Sequence, residues 1–133
     1  MKTIFADTSY YIALTNANDE FAEAAYEYTK GFGGFFVTTA WVLTEVANYL
    51  RQSPNRPLVL SLVADLRNDR RVDIVAPTQR LFDQGLDLYA DRPDKEWSLT
   101  DCISFVVMRE RGITEALTGD RHFEQAGFVT LLK

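Results

Sequence analysis

Residues 5–14 read FADTSYYIAL. Apolar Ile4, Phe5 and Ala6 run into a carboxylate, Asp7, followed by two hydroxyls, Thr8 and Ser9. Apolar character then resumes with Tyr10, Tyr11, Ile12 and Leu14. A short buried strand that turns at once into a helix accounts for the apolar residues on either side. The charge at the seam has two readings. Asp, Thr and Ser all cap helices by offering a side-chain oxygen to free backbone N–H groups. Alternatively, the seam is the C-terminal end of a parallel strand, where open α/β sheets place their ligands, and Asp7 binds a metal. The rest of the chain decides between them.

Outward from this seam the chain alternates strand and helix signals. KTIFA (2–6) reads as a strand, and helices are predicted over 8–15 and 20–30, the second from the spacing of Phe21, Ala24, Ala25 and Tyr28. The glycines of GFGG (31–34) end that helix, and FFVT (35–38) is a second strand. AWVLTEVANYLR (40–51) is a third helix, closed by a loop SPNRP at 53–57; Leu58, Leu62 and Leu66 then carry a helix to Asn68. VDIVA (72–76) is a third strand, stopped by Pro77, and a helix over 79–90 leads into the polar loop DRPDKEW. LTDCISFVVMRERG (99–112) is a helix ending at Gly112. EALTGD (115–120) carries a fourth strand, HFEQAG a short helix, and FVTLL (128–132) a fifth strand. Strands separated by helices of this length require crossover connections, hence a mainly parallel sheet covered on both faces. With no repeat or linker, residues 1–133 read as a single domain.

Three further acids share the oddity of Asp7, in that each interrupts an apolar stretch. Glu45 lies at the edge of the buried helix face formed by Val42, Leu43, Val46, Ala47 and Leu50, where a surface glutamate is the plain alternative. Asp101 completes a capping box with Ser98, yet the helix it starts is apolar almost all round. Such a helix is buried, and a buried carboxylate needs a partner or a metal. Asp120 follows the fourth strand in LTGDRHF, where Gly-Asp also reads as a turn with a cap. Two of the acids sit at predicted strand ends and two in early helical turns nearby, so all four can converge on one sheet edge. Four independent caps explain that joint pattern poorly. Oxygen ligands without His or Cys select Mg²⁺ or Mn²⁺ over zinc, and such a site suits phosphodiester hydrolysis. The lone histidine, His122, reads as a surface or packing residue.

Composition narrows the classes. Apolar residues at 47% and charged residues at 25% are ordinary for a globular protein, and no run is long enough for a membrane span. The N-terminus does not read as a signal peptide, and the only cysteine, Cys102, excludes an internal disulfide and fits a reducing cytoplasm. A net charge of −5 argues against nucleic-acid binding by bulk electrostatics. Bound divalent cations would offset clustered acids, and Arg51, Arg56, Arg67, Arg70 and Arg71 leave either a locally positive flank or a solvated helix surface.

Taken together, Asp7-Thr8-Ser9, TTAWVLTEVANYL around Glu45, SLTDCISFVVMRERGI around Asp101 and ALTGDRHFEQAGF around Asp120 resemble the PIN domain over essentially the full length. Within that family the chain is similar to the VapC-like ribonuclease toxins of toxin–antitoxin pairs. The resemblance implies a three-layer α/β/α sandwich around a central, mainly parallel five-stranded sheet. It also implies Mg²⁺- or Mn²⁺-dependent cleavage of RNA at Asp7, Glu45, Asp101 and Asp120, with Ser9 and Thr118 supporting the site by hydrogen bonding. A homodimer and an antitoxin partner are implied as well, and Tyr26, Tyr28, Trp41 and Tyr49 are candidate exposed aromatics for such contacts. A PIN nuclease of RNA processing is the alternative. Receiver-type and haloacid-dehalogenase-like phosphoryl-transfer domains fit worse, because Asp7 stands alone, position 9 is Ser9 and the lysines (2, 30, 95, 133) are badly placed. A non-enzymatic interaction module has no reason to keep four acids in apolar contexts.

Overall fold

Strand β1 (Thr3–Ala6) is buried over Ile4, Phe5 and Ala6 and ends at Asp7, where the chain turns directly into helix α1 (Thr8–Thr15). In this computed structural model, which describes residues 1–133, β1 is the middle strand of a five-stranded sheet. Helix α2 (Ala22–Gly31) leads to β2 (Phe35–Thr39), helices α3 (Ala40–Tyr49) and α4 (Arg56–Asn68) to β3 (Val72–Val75), and α5 (Gln79–Asp91) and α6 (Leu99–Arg111) to β4 (Glu115–Leu117). Helix α7 (Arg121–Gln125) then precedes β5 (Val129–Thr130). The strand order is β3-β2-β1-β4-β5 and every pairing is parallel.

From β1 the chain steps outward twice in one direction, then crosses back over β1 and steps outward in the other. Right-handed crossovers put α1–α4 on one face and α5–α7 on the opposite face, which makes the three layers. Helix packing follows that division, with α1 against α2 and α3, α5 against α6, and α6 against α7; α3 also meets α6. The order reverses between β1 and β4, the kind of switch point beside which open α/β sheets place their ligands, at the C-terminal ends of the strands. Asp7 N–H donates to the Leu117 carbonyl at 3.2 Å, holding the two strand ends together.

Packing sets where the site-bearing helices lie. Trp97 meets Phe105 edge-on at 5.1 Å, and Phe105 meets Phe123 at 4.9 Å, so one aromatic column ties the start of α6 to α7. Gly85 lets α5 approach α6 closely: a Cβ there would overlap buried Ile103.

Three local expectations change. The fourth helix starts at Arg56, after a 3₁₀ turn over Ser53–Asn55, because Pro57 is tolerated in a first turn where its missing N–H is not needed. β5 is limited to Val129 and Thr130, since the Phe128 N–H is spent on Phe123 in closing α7; Leu131 and Leu132 still donate to Ala116 and Thr118. Tyr26 and Tyr49 are exposed, whereas Tyr28 and Trp41 pack against the core.

Candidate active site

The structure brings Asp7, Glu45, Asp101 and Asp120 close to one another beside the C-terminal ends of β1 and β4. Asp7 occupies the N-cap position of α1, yet its side chain makes no capping hydrogen bond. Its carboxylate instead accepts the Thr118 hydroxyl at 2.9 Å, across the switch point. Because the Thr118 proton goes to Asp7, Ser9 must donate to Thr118 at 3.1 Å, while Ser9 accepts the Gly119 N–H. Thr118 also accepts the Asp120 N–H at 3.0 Å. One hydroxyl pair therefore aligns Asp7 and the loop that carries Asp120.

On the neighbouring helix, Thr8 donates to Glu45 Oε1 at 2.6 Å, so the hydroxyl next to Asp7 orients the second acid. Asp101 sits in the first turn of α6 with both halves of its capping box formed. Its Oδ2 accepts the Ser98 N–H at 3.1 Å and lies 3.0 Å from His122 Nδ1. Asp120 caps α7 by accepting the His122 N–H at 2.9 Å, and its Oδ1 lies 3.4 Å from the same ring nitrogen. Asp101 and Asp120 thus cap helices while facing the acidic cluster, whereas Asp7 faces it without a side-chain cap.

His122 changes its reading. It is half-buried, and its ring faces Asp101 and Asp120 with ligand atoms of the three all within 4.8 Å of one another. The only signal in the sequence was its place two residues after Asp120; the approach to Asp101 spans 21 residues and depends on α6 meeting α7. Thr8 was equally silent. Cys102 keeps its reading as core: burial first, and Asp101 second, push its thiol up to about 11, which leaves it protonated and unreactive near neutrality.

The electrostatics are those of an uncompensated cluster. No Lys or Arg lies within ion-pair distance of any of the four acids; His122 is their only basic neighbour. Burial raises the Asp7 carboxyl to about 7, with Asp101 and Glu45 adding to the rise and the Thr8 N–H and Thr118 hydroxyl opposing it. Asp101 is raised too, by burial first and by Asp120 next, against the Ser98 N–H and His122. Charged groups held this way need a counter-charge, and a hard divalent cation is what carboxylate oxygens at this spacing suit. Asp101 and Asp120 could hold it directly, with Asp7 and Glu45 flanking them.

A family model described as the PIN domain matches residues 4–129. The chain belongs to the PIN-domain family. Over 127 residues this PIN domain is 34% identical to the 23S rRNA-specific endonuclease VapC20 of Mycobacterium tuberculosis, covering 95% of each chain. The crystal structure of that protein, described as a sarcin-ricin loop cleaving toxin, superimposes with a TM-score of 0.86 at 30% identity, over 95% of this chain and 96% of the other. The structure of FitAcB from Neisseria gonorrhoeae shares the fold, with a TM-score of 0.64 at 15% identity over 96% and 94% of the two chains. The all-parallel five-stranded sandwich is therefore the PIN fold. No helix of the chain is long and apolar enough to cross a membrane.

Proposed function

We propose that this PIN domain is a metal-dependent endoribonuclease and the toxin of a toxin–antitoxin pair. The observation that carries the reading is the convergence of Asp7, Glu45, Asp101 and Asp120 at the β1/β4 switch point with no Lys or Arg to neutralise them. Similarity to an rRNA-specific endonuclease favours RNA as the substrate, and a structured rRNA loop as the first substrate to try.

When bound, Mg²⁺ or Mn²⁺ supplies Lewis acidity toward the phosphate and the charge that the four acids lack. The chain's own residues do the positioning. Thr118, itself held by Ser9, fixes the Asp7 carboxylate, and the Ser98 N–H fixes that of Asp101. Glu45 is only partly buried and is held at Oε1 by Thr8, so Oε2 is free to take a proton from the attacking water. Water adds to phosphorus, the bond to one ribose oxygen breaks, and that oxygen leaves with a proton from solvent.

Purified protein incubated with 23S-type rRNA, tRNA and mRNA in Mg²⁺ or Mn²⁺ tests the reading. Discrete cleavage that EDTA stops and Asp101→Asn lacks supports it; cleavage that persists in Asp101→Asn points to a contaminating nuclease and removes the support. Growth arrest on induction, relieved by a cognate inhibitor, separates a toxin from an RNA-processing enzyme. The inhibitor we infer is a protein with an Arg or Lys that reaches Asp7 and Asp101, acting in the cytoplasm. Exposed Tyr26, Tyr49, Leu58 and Leu60 leave apolar surface that a homodimer would cover; a monomer mass by light scattering at micromolar concentration would remove the dimer.

A further inference from the structure

We propose that His122 Nδ1 is a nitrogen ligand of the divalent cation in this site, and that it shifts the preference from Mg²⁺ toward Mn²⁺. The inference rests on the metal-dependent reading above and adds a residue that the four-acid pattern does not contain.

The argument begins with spacing. Nδ1 lies 3.0 Å from Asp101 Oδ2 and 3.4 Å from Asp120 Oδ1. Adjacent corners of an octahedron with bonds of ~2.1 Å are about 3 Å apart, so both separations from Nδ1 are close to an edge of such a shell, and the ligand atoms of all three residues lie within 4.8 Å of one another. Without an ion the same nitrogen can donate its proton to Asp101, so the cation would take the place of that proton between ring and carboxylates.

The ring is also held in place before any ion arrives. Its backbone N–H is bonded to Asp120, and Phe123, the next residue, is fully buried in the aromatic column against Phe105. Ligation needs the ring proton on Nε2, and that nitrogen makes no hydrogen bond or ion pair within the chain, so it is free to carry the proton. No Lys or Arg reaches the trio to compete for the carboxylates.

The chemistry then selects the ion. Mg²⁺ keeps oxygen ligands and its own waters, whereas first-row transition ions accept imidazole, and among them Mn²⁺ also suits carboxylates in octahedral geometry. A single nitrogen donor therefore favours Mn²⁺ without excluding Mg²⁺.

His122 is the only histidine in the chain, so labelling histidine with ¹⁵N marks this residue alone. Electron spin-echo spectra of Mn²⁺ bound to unlabelled and ¹⁵N-histidine protein test the ligand directly, with no substitution required. A histidine nitrogen coupling that changes with the label is expected. In parallel, Mn²⁺ and Mg²⁺ affinities are titrated for the wild type and for His122→Asn. The variant should lose Mn²⁺ affinity by about tenfold or more, within the range seen when groups around a metal are removed, while Mg²⁺ affinity falls far less. Mn²⁺ bound with no label-sensitive coupling would overturn the inference, as would equal losses for the two ions, which mark a purely structural histidine. Mg²⁺ binding without Mn²⁺ binding would overturn this inference alone, and absence of binding by both ions would overturn the metal-dependent reading with it. The failures remain distinguishable. RNA cleavage with oxygen-only Mn²⁺ removes this inference alone; nitrogen-ligated Mn²⁺ without cleavage removes the nuclease and leaves it standing.

Discussion

The two ends of the sheet treat their carboxylates in opposite ways. At the N-terminal edge, Glu115 pairs with Lys2 at 2.9 Å, Asp69 with Arg71 at 3.8 Å and Asp73 with Arg111, all with substantial solvent access. At the C-terminal edge, Asp7, Glu45, Asp101 and Asp120 meet without a Lys or Arg, and Asp7 and Asp101 are buried. Exposed pairs contribute ~0–1 kcal/mol each and are easily exchanged. Buried like charges destabilise the fold and persist where something else compensates them. The difference separates an edge whose charges are already paired from one whose charges could be compensated by a cation.

The sharpest way to break this comparison is to remove one carboxylate from each end. Asp7→Asn or Asp101→Asn keeps shape while deleting ligand charge, and each should lower RNA cleavage by at least ~10²-fold, the scale of losing one major electrostatic contribution. Asp73→Asn at the opposite edge should leave the cleavage rate unchanged. Equal losses from both ends would mean that the acidic cluster has no special role.

Stability of the metal-free protein carries the next largest effect. Because the folded Asp7 carboxyl titrates at about 7 against 3.8 for an ordinary Asp, the folded state binds more protons than the unfolded state between those values. Its contribution is complete below pH ~4 and lost as pH rises through ~7. Asp101 is shifted in the same direction. Denaturation without metal should therefore show stability falling over that window, and Asp7→Asn should flatten the fall. Saturating Mn²⁺ or Mg²⁺ at 100 times Kd should restore about 2.7 kcal/mol to the wild type near pH 7. A flat wild-type profile would show that the cluster is already compensated.

A smaller effect concerns the loop that delivers Asp120. A Cβ on Gly119 would overlap the Phe21 ring, so Gly119→Ala has to displace either the ring or the Thr118–Asp120 turn. We expect a loss of roughly 1–3 kcal/mol, the usual scale of overpacking, with weaker metal binding than in the wild type. Unchanged metal affinity would show that Phe21 yields and the turn does not. Smallest of all, Arg111→Ala at the paired edge should change thermal stability by no more than ~1 kcal/mol and leave metal affinity alone. A larger loss would make that edge more than a set of surface ion pairs.

Much of this was legible residue by residue. The order of strands and helices followed from apolar periodicity, because a strand or helix buries one face and its sequence repeats with the period of that face. The four acids stood out because each breaks such a pattern, and Ser98 with Asp101 announced a capping box that is present in the structure. Boundaries moved at Pro57 and Phe128 for local reasons, and several other ends, such as those of α2 and α3, shifted by one or two residues.

The alternation of elements, the polarity of each face and the positions at which charge interrupts it can thus be read along the chain. All of these are local properties of a chain read a few residues at a time. Long-range packing, by contrast, leaves Asp7 without a side-chain cap and bonded to Thr118 from 111 residues away, sets Thr8 against Glu45, and turns His122 toward Asp101. Those contacts depend on which strands become neighbours and on how the aromatic column presses α7 against α6. They arise when distant segments are packed into one layered core, and no window of sequence contains both partners.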